Sequence, residues 1–337
     1  MVMRNIYKIL AFAVLTFPFA STGQDYHFSQ FDALVPSFQP GLTGVFTDFK
    51  YRAATQYRNQ WRPLATKPFS TFALAYDMPI NKRWGAGGYL INYDGAKVFN
   101  AFNLVLSGSY KIMDPGQEEH LLTAGLQMGI IYKNINNSDL LFESQYDDGL
   151  FNSALPSNEG FNRMSKLIPE FNVGFYYEWI DENNMYHPYA GLSLFHITSP
   201  NESMLISEGV SRVPRRFLLN AGCKLDISDE VKLDVKILNQ NQGKANGFTI
   251  GAGGSYYLAE QEIDLKLGLY IRAKDAFVIA TGLSYDDLTF MLSYDITTSG
   301  LKEFNGGKGA LEFTMIYRPS KASKSSRPAS PSVDQDL

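Results

Sequence analysis

The chain has 337 residues, with 30 lysines and arginines against 34 aspartates and glutamates, for a formal net charge of −4. That balance gives no reason to expect a nucleic-acid partner. The single cysteine, Cys223, excludes an intrachain disulfide. It falls mid-strand, where a lone thiol behaves as a small hydrophobe. A mean hydropathy of −0.17 does not separate a soluble protein from a membrane barrel, because barrel strands alternate apolar and polar residues.

The N-terminus carries Arg4 and Lys8, then an apolar run from Ile9 to Ala20, then the small residues Ser21-Thr22-Gly23. This pattern is a cleaved secretory signal, too short and wrongly flanked for a spanning helix. Residues 1–23 are therefore assigned to a signal peptide and Gln24 to the start of the mature chain. From there on, no apolar run is long enough for a transmembrane helix. Residues 24–47 hold Pro36 and Pro40 and little alternation. They are expected to form a periplasmic lead-in or an inward-folded plug.

Residues 48–318 are built of segments with a period of two. In one, Leu122, Ala124, Leu126, Met128, Ile130 and Tyr132 alternate with Thr123, Gly125, Gln127, Gly129 and Lys133. In another, Leu265, Leu267, Leu269 and Ile271 alternate with Asp264, Lys266, Gly268 and Arg272. Each such strand has one apolar and one polar face. Strands are expected near 48–59, 68–79, 84–94, 100–112, 120–133, 167–180, 185–197, 213–227, 230–241, 247–258, 262–272, 276–286, 287–297 and 309–318. About ten residues is the length a tilted strand needs to cross a bilayer, whereas strands of soluble proteins are nearer five or six.

Connection lengths sort by parity. Tight turns fall at even positions, such as Ile80–Arg83, Asp181–Asn184, Ser228–Asp229 and Asp286–Asp287. Long connections fall only at odd positions: 134–166, 198–212 and 298–308. Short periplasmic turns with longer outer loops are the signature of an outer-membrane barrel. Tyr76, Trp84, Tyr110, Trp179, Tyr256, Tyr285 and Tyr317 lie near the turn ends of their strands, where an aromatic girdle is expected. The fold class is all-β: a transmembrane antiparallel up-and-down barrel of about 14 strands in the outer membrane, in contact with its lipid. Residues 319–337 are Ser/Pro/Lys-rich and then acidic, and are expected to be a disordered periplasmic tail.

Enzyme signatures are poor. The four histidines show no metal-pair spacing and no serine sits in a G-x-S-x-G elbow. His196 with Ser193 or Ser199 is the nearest approach to a rim hydrolase, and a rim or interface histidine is the plainer reading. The glycine runs 85–88 and 251–254 are not followed by helical patterns. They mark bends, or places where a plug or bulky neighbour needs room. No cofactor and no enzymatic activity are expected.

The outer loop 134–166 holds Asp139, Glu143, Asp147, Asp148 and Glu159 among apolar residues that include Phe142, Tyr146 and Phe151. The loop 198–212 adds Met204 and Leu205. Loops this long and this apolar are expected to fold over the mouth or dock on another protein. Asp139, Phe142, Glu143, Tyr146, Asp147, Asp148, Phe151, Met204 and Leu205 are the candidate partner-binding residues. Clustered carboxylates could suit calcium, but the EF-hand spacing is absent and no metal site is assigned. Arg212, Arg215 and Arg216 form a basic cluster, suited to rim contacts with lipopolysaccharide phosphates or loop carboxylates.

The run Gln24-Asp25-Tyr26-His27-Phe28-Ser29-Gln30-Phe31, continuing to Pro40-Gly41-Leu42-Thr43-Gly44, resembles the opening of the PorP/SprF family of Bacteroidetes. So does Tyr57-Arg58-Asn59-Gln60-Trp61, and later Ser293-Tyr294-Asp295 and Gly309-Ala310-Leu311-Glu312-Phe313. Tyr26 stands where the family has proline, and Gln39-Pro40-Gly41 where it has N-P-A. The motif-bearing positions are Phe28, Ser29, Gln30, Arg58, Gln60, Trp61, Tyr294 and Asp295. The resemblance implies a non-enzymatic outer-membrane component of the type IX secretion and gliding machinery. The implied partners are other type IX components and a secreted adhesin or its C-terminal sorting domain. The alternative is a small-solute channel, because a barrel of about fourteen strands leaves a lumen that is either plugged or wet.

Overall fold

The computed structural model describes residues 25–61, 67–113, 119–136, 143–147, 150–152, 155, 164–181, 184–204 and 210–321. In chain order the strands are β1 (Arg52–Gln60), β2 (Phe69–Pro79), β3 (Trp84–Gly95), β4 (Phe99–Met113), β5 (His120–Ile135), β6 (Tyr146–Asp147), β7 (Leu150–Phe151), β8 (Ser165–Trp179), β9 (Tyr186–Phe195), β10 (Arg216–Asp226), β11 (Val231–Gln242), β12 (Ala245–Leu258), β13 (Ile263–Arg272), β14 (Ala276–Tyr285), β15 (Leu288–Thr297) and β16 (Lys308–Tyr317). Among the described residues, fourteen of these strands close into one antiparallel barrel, and β6 and β7 form a separate small hairpin in the third outer loop. The last strand closes on the first, in a register running from Ala53 opposite Tyr317 to Gln60 opposite Ala310.

Strand positions follow the alternation of the sequence to within a few residues. The largest shift is at β1, which begins at Arg52 rather than near 48. Residues 48–50 instead pair with the stretch after β16: Lys50 N–H donates to the Pro319 carbonyl and Lys321 N–H to that of Asp48. The barrel seam is thus prolonged past the membrane at the turn end. β5 and β8 stay paired up to Asn134 opposite Ser165. β8 and β9 pair only from Val173–Leu194 to Glu178–Tyr189. The upper part of β8 therefore rises above the wall with β5, and residues 197–204 and 210–213 fold against it.

The two faces of the wall differ in kind. Outward stand Leu104, Leu106, Met128, Phe171, Phe175, Phe217, Leu267 and Phe313, all exposed, and Leu126, 70% exposed. A soluble protein does not leave a continuous apolar belt of this size in water. Turned toward hydrocarbon, the belt is satisfied, and closure leaves no unpaired strand edge. Tyr76, Trp84, Tyr256 and Tyr285 are exposed at the turn end, where rings sit between lipid and water.

Inward face Gln56, Arg58, Asp77, Lys111, Gln127, Glu170, Lys266, Asp295 and Glu312, all buried. Residues 25–47 lie against this face and touch Gln56, Arg58, Asp77, Gln127, Asp295 and Glu312 directly. This inner segment runs down the lumen from the long-loop mouth to the turn end. It includes one helical turn, α1 (Val35–Phe38), and a 3-10 turn at Pro40–Leu42. Phe28, Leu34, Val35, Phe38, Leu42, Val45 and Phe46 are all buried in it. Two glycines of the wall make room for its backbone. A Cβ on Gly85 would lie 2.1 Å from the Thr43 carbonyl oxygen, and one on Gly125 would lie 2.2 Å from the Pro40 carbonyl carbon. Neither neighbour is a flexible side-chain end, so only glycine fits beneath the segment.

Gly125→Val is expected to leave a closed barrel that unseats residues 36–44. The check is limited proteolysis in detergent: the variant should be cut within the inner segment while its heat-modifiable mobility on gels matches the parent.

Candidate functional site

The densest polar cluster of the lumen joins the inner segment to the closing seam. Arg58 of β1 and Glu312 of β16 sit directly opposite each other in the seam register. Their side chains meet, Arg58 Nη1 donating to Glu312 Oε2 at 3.1 Å, while Arg58 Nη2 donates to Asp295 Oδ2 of β15 at 2.8 Å. Arg272 of β13 donates to the same Asp295 oxygen at 2.5 Å. Two guanidinium groups thus balance two carboxylates.

The inner segment supplies the remaining donors and acceptors. Ser29 Oγ donates to Asp295 Oδ1 at 2.6 Å and accepts from Arg58 Nη1 at 2.7 Å. The backbone N–H groups of Ser29 and Gln30 each donate to one oxygen of Glu312, at 2.9 and 2.8 Å. Gln56 donates to the Gln30 carbonyl at 2.8 Å and to Glu312 at 3.1 Å. Gln60 accepts from Arg58 Nε at 3.1 Å. Buried charges persist only when paired and hydrogen-bonded in this way.

Of the residues singled out from the motifs, Ser29, Gln30, Arg58, Gln60 and Asp295 therefore converge. Phe28 packs beside them in the apolar cluster of Leu34, Ala54, Ala73 and Ile91. Trp61 lies at the rim with φ +57° and meets Phe69 edge-on at 5.1 Å. Tyr294 points outward and is exposed. Gln56 and Arg272 complete the cluster, although no motif marks them; the signal available was their place on the polar face of an alternating strand.

A second cluster closes the long-loop mouth. Asp25 Oδ2 lies 2.7 Å from His196 Nε2 and 3.4 Å from Arg216 Nη1. His196 Nδ1 lies 2.7 Å from Glu170 Oε2. The Asp25 N–H donates to Gln242 at 2.8 Å, and Tyr26 accepts from Asn103 at 2.6 Å. Burial would push the Asp25 carboxyl up, but the charge and hydrogen bond of His196, with Arg216 behind, hold it well below the usual carboxylate range. His27 is driven well below the ordinary histidine range by burial and by the nearby Arg272 and Arg58. Arg216, read from the sequence as a rim residue of a basic cluster, thus turns inward to the segment, its guanidinium 4.2 Å over the Phe195 ring. Arg212 and Arg215 stay at the rim and donate to the carbonyls of Ser199 and Ile197.

The serines beside His196 form no catalytic pair with it. Ser193 donates to Gln39 Oε1 at 3.0 Å and Ser199 to the Val213 carbonyl at 2.8 Å, while both ring nitrogens of His196 are engaged by carboxylates. Lower in the lumen, Lys236 Nζ meets Asp32 at 2.5 Å and Asp234 at 2.8 Å. Gly44 N–H donates to Asp77 at 2.7 Å, and Asp77 pairs with Arg52.

The outer-loop candidates are less gathered. Glu143 begins a 3-10 turn, and Tyr146 and Asp147 pair with Leu150 and Phe151. Tyr146 and Leu150 are exposed, whereas Met204 is buried. Asp139, Phe142, Asp148 and Leu205 lie outside the described residues. Among the described residues no group of three His, Cys, Asp or Glu is placed to hold a metal ion.

These features define a class: an outer-membrane β-barrel whose own N-terminal segment fills and charge-locks the lumen. The model of the type IX secretion system membrane protein PorP/SprF matches residues 20–317. The chain belongs to that family. Among solved structures it is similar to a deltaS2S3 mutant of the monoaromatic hydrocarbon channel TodX, at 9% identity and a TM-score of 0.50, covering 88% of this chain and 96% of that one. It is also similar to the toluene transporter TbuX of Ralstonia pickettii, at 7% identity and a TM-score of 0.47, over 89% of this chain and 95% of that one. At such identities the likeness concerns the fold alone. No curated protein matches the sequence.

Removing Arg58 leaves the buried Glu312 without a cation and Asp295 with Arg272 alone, so Arg58→Met is expected to destabilise the barrel by about 3–5 kcal/mol. The double change Arg58→Met, Glu312→Gln, which leaves Asp295 paired with Arg272, should recover most of that loss. Urea midpoints of heat-modifiable mobility would decide; equal midpoints for parent and single variant would remove the lock from the account.

Proposed function

We propose that this protein is a non-enzymatic, plugged barrel that serves type IX secretion as a membrane-embedded platform. Its outer loops engage an exported protein, of the class of large adhesins bearing a C-terminal sorting domain, and support its export or surface attachment. Family membership supports the secretion role. The observation that carries the plugged reading is the lumen itself, spanned from mouth to turn end by residues 25–47 and held by buried hydrogen bonds at 29, 39 and 44.

A channel needs a continuous wet path, and the packed lumen speaks against one. Rigid strands that present long loops at one end suit a docking scaffold. The loops around 134–166 and 198–212 carry the apolar and acidic residues for such contacts. Residues 24–47 act as the plug, 48–318 as the barrel, and 319–337 as a periplasmic tail whose first residues, 319–321, pair with 48–50.

Two measurements test this reading. Excising residues 137–163 should leave normal outer-membrane levels of heat-modifiable barrel and abolish surface display of the cognate adhesin; undiminished display would sink the docking role. In planar bilayers the full-length protein should be silent, and removal of residues 25–47 should give stable conductance steps. Conductance from the intact protein would favour the channel reading.

A further inference from the structure

We propose that His196 is an imidazolium clamp that holds the outer end of the inner segment in the barrel mouth, and that loss of its charge frees residues 25–27 toward the cell exterior. The proposal rests on the plug reading above.

The geometry sets the charge state of the ring. Both nitrogens lie 2.7 Å from carboxylate oxygens, Nε2 from Asp25 and Nδ1 from Glu170. A neutral imidazole has one N–H and one lone pair. It could donate to one carboxylate but would turn a lone pair on the other. Only the doubly protonated ring satisfies both contacts; His196 and Glu170 are shielded from solvent, with side-chain exposures of 5% and 3%, and Asp25 is partly covered at 24%. The ring is also held in place from behind. His196 follows the last residue of β9 with φ +56°, and its N–H donates to Asn172 Oδ1 at 3.0 Å. Left-handed backbone is uncommon outside glycine, though histidine is among the residues enriched there.

The charges around the ring come from three elements: Asp25 from the inner segment, Glu170 from β8 and Arg216 from β10. The phenols of Tyr26 and of Tyr89 in β3 also feel these charges. Burial alone would lower the His196 pKa, but Asp25 and Glu170 outweigh it and raise it to about 9. With the folded value above the free value of 6.5, the clamp is at full strength below 6.5 and is lost as pH rises through about 9.

Two of the attachments of the segment, one at the mouth and one deeper, differ chemically. At Ser29 and Gln30 it is held by carboxylates paired to arginines, which do not deprotonate in proteins. At Asp25 it is held by a histidine, with Arg216 0.7 Å farther away. Loss of one proton therefore loosens the mouth end and leaves the deeper lock closed. Because the segment runs downward from the long-loop mouth, the freed end emerges on the outer side of the membrane.

The test uses the full chain in intact cells with Cys223→Ser. A reporter cysteine replaces Tyr26, and a membrane-impermeant maleimide is the probe. Rates are divided by that of a Lys244→Cys reporter in an exposed outer turn. With His196 present, position 26 should label at least tenfold more slowly than position 244 at pH 7.5, and approach it above pH 9. His196→Gln should remove the protection at pH 7.5. Glu170→Gln, which keeps the histidine, should shift the release to lower pH by a unit or more. Heat-modifiable mobility verifies that each variant is a folded barrel. Equal labelling of position 26 with and without His196, or a release pH untouched by Glu170→Gln, overturns the clamp and leaves the plug reading standing. A Thr43→Cys reporter labelled as fast as position 244 overturns both.

Discussion

A ring of fourteen strands is wider than its own side chains can fill. Eight strands give an interior that side chains pack, and sixteen or more leave an aqueous channel. Fourteen lies between, so the polar inner face of this wall needs either water or a second layer of protein. The chain supplies that layer from its own residues 25–47, and the rest of the architecture follows. Lumen-facing glycines lower the wall under the segment. Lumen-facing charges pair across it, and its backbone donors take the carboxylates that would otherwise be stranded in a low-dielectric interior.

The position of the strongest pairing has a structural meaning. Arg58 and Glu312 face each other across the one seam where strands distant in sequence must meet. A shift of register by one residue would turn Glu312 toward lipid and Arg58 away from it. Ser29 and Gln30 bind Glu312 through their backbone, so the inner segment and the closing strand fix one another. Burial of a charge network is a weak source of net stability, but it is a good source of uniqueness when only one register satisfies every member. Three motifs far apart in the chain, at 28–30, 57–61 and 293–295, together with Glu312 farther on, thereby become one object: the attachment of the segment to the seam.

The two ends of the barrel are built for different tasks. At the turn end the segment enters through Gly44, held by Asp77, and the strands run on past the membrane as 48–50 paired with 319–321. That end is short, rigid and edged with aromatic rings. At the other end β5 and β8 rise above the wall, residues 197–204 and 210–213 fold against them, and the small hairpin β6–β7 presents Tyr146 and Leu150.

How much of this was legible in the sequence follows from which signals are local. The alternation of apolar and polar side chains is a property of each strand alone, so the strands, their near-even lengths and the lipid-facing set could be read residue by residue. The sorting of long and short connections needed only the count of strands between them. The motif residues Ser29, Arg58 and Asp295 were marked by family resemblance, but nothing in their spacing says that they touch. Residues 25–47 have no period, because a segment packed on all sides has no single apolar face; their path, and the fact that Asp25 lies at the mouth and Gly44 at the opposite end, were settled by closure. The same holds for His196, which the sequence offered as an ordinary rim histidine. Its charge depends on Asp25 and Glu170, brought to it from 171 and 26 residues away. The sequence by itself determined the wall, because a wall is made of local periodicity. Only the tertiary structure decided the contents of the lumen, because those contacts exist once the first and last strands have met.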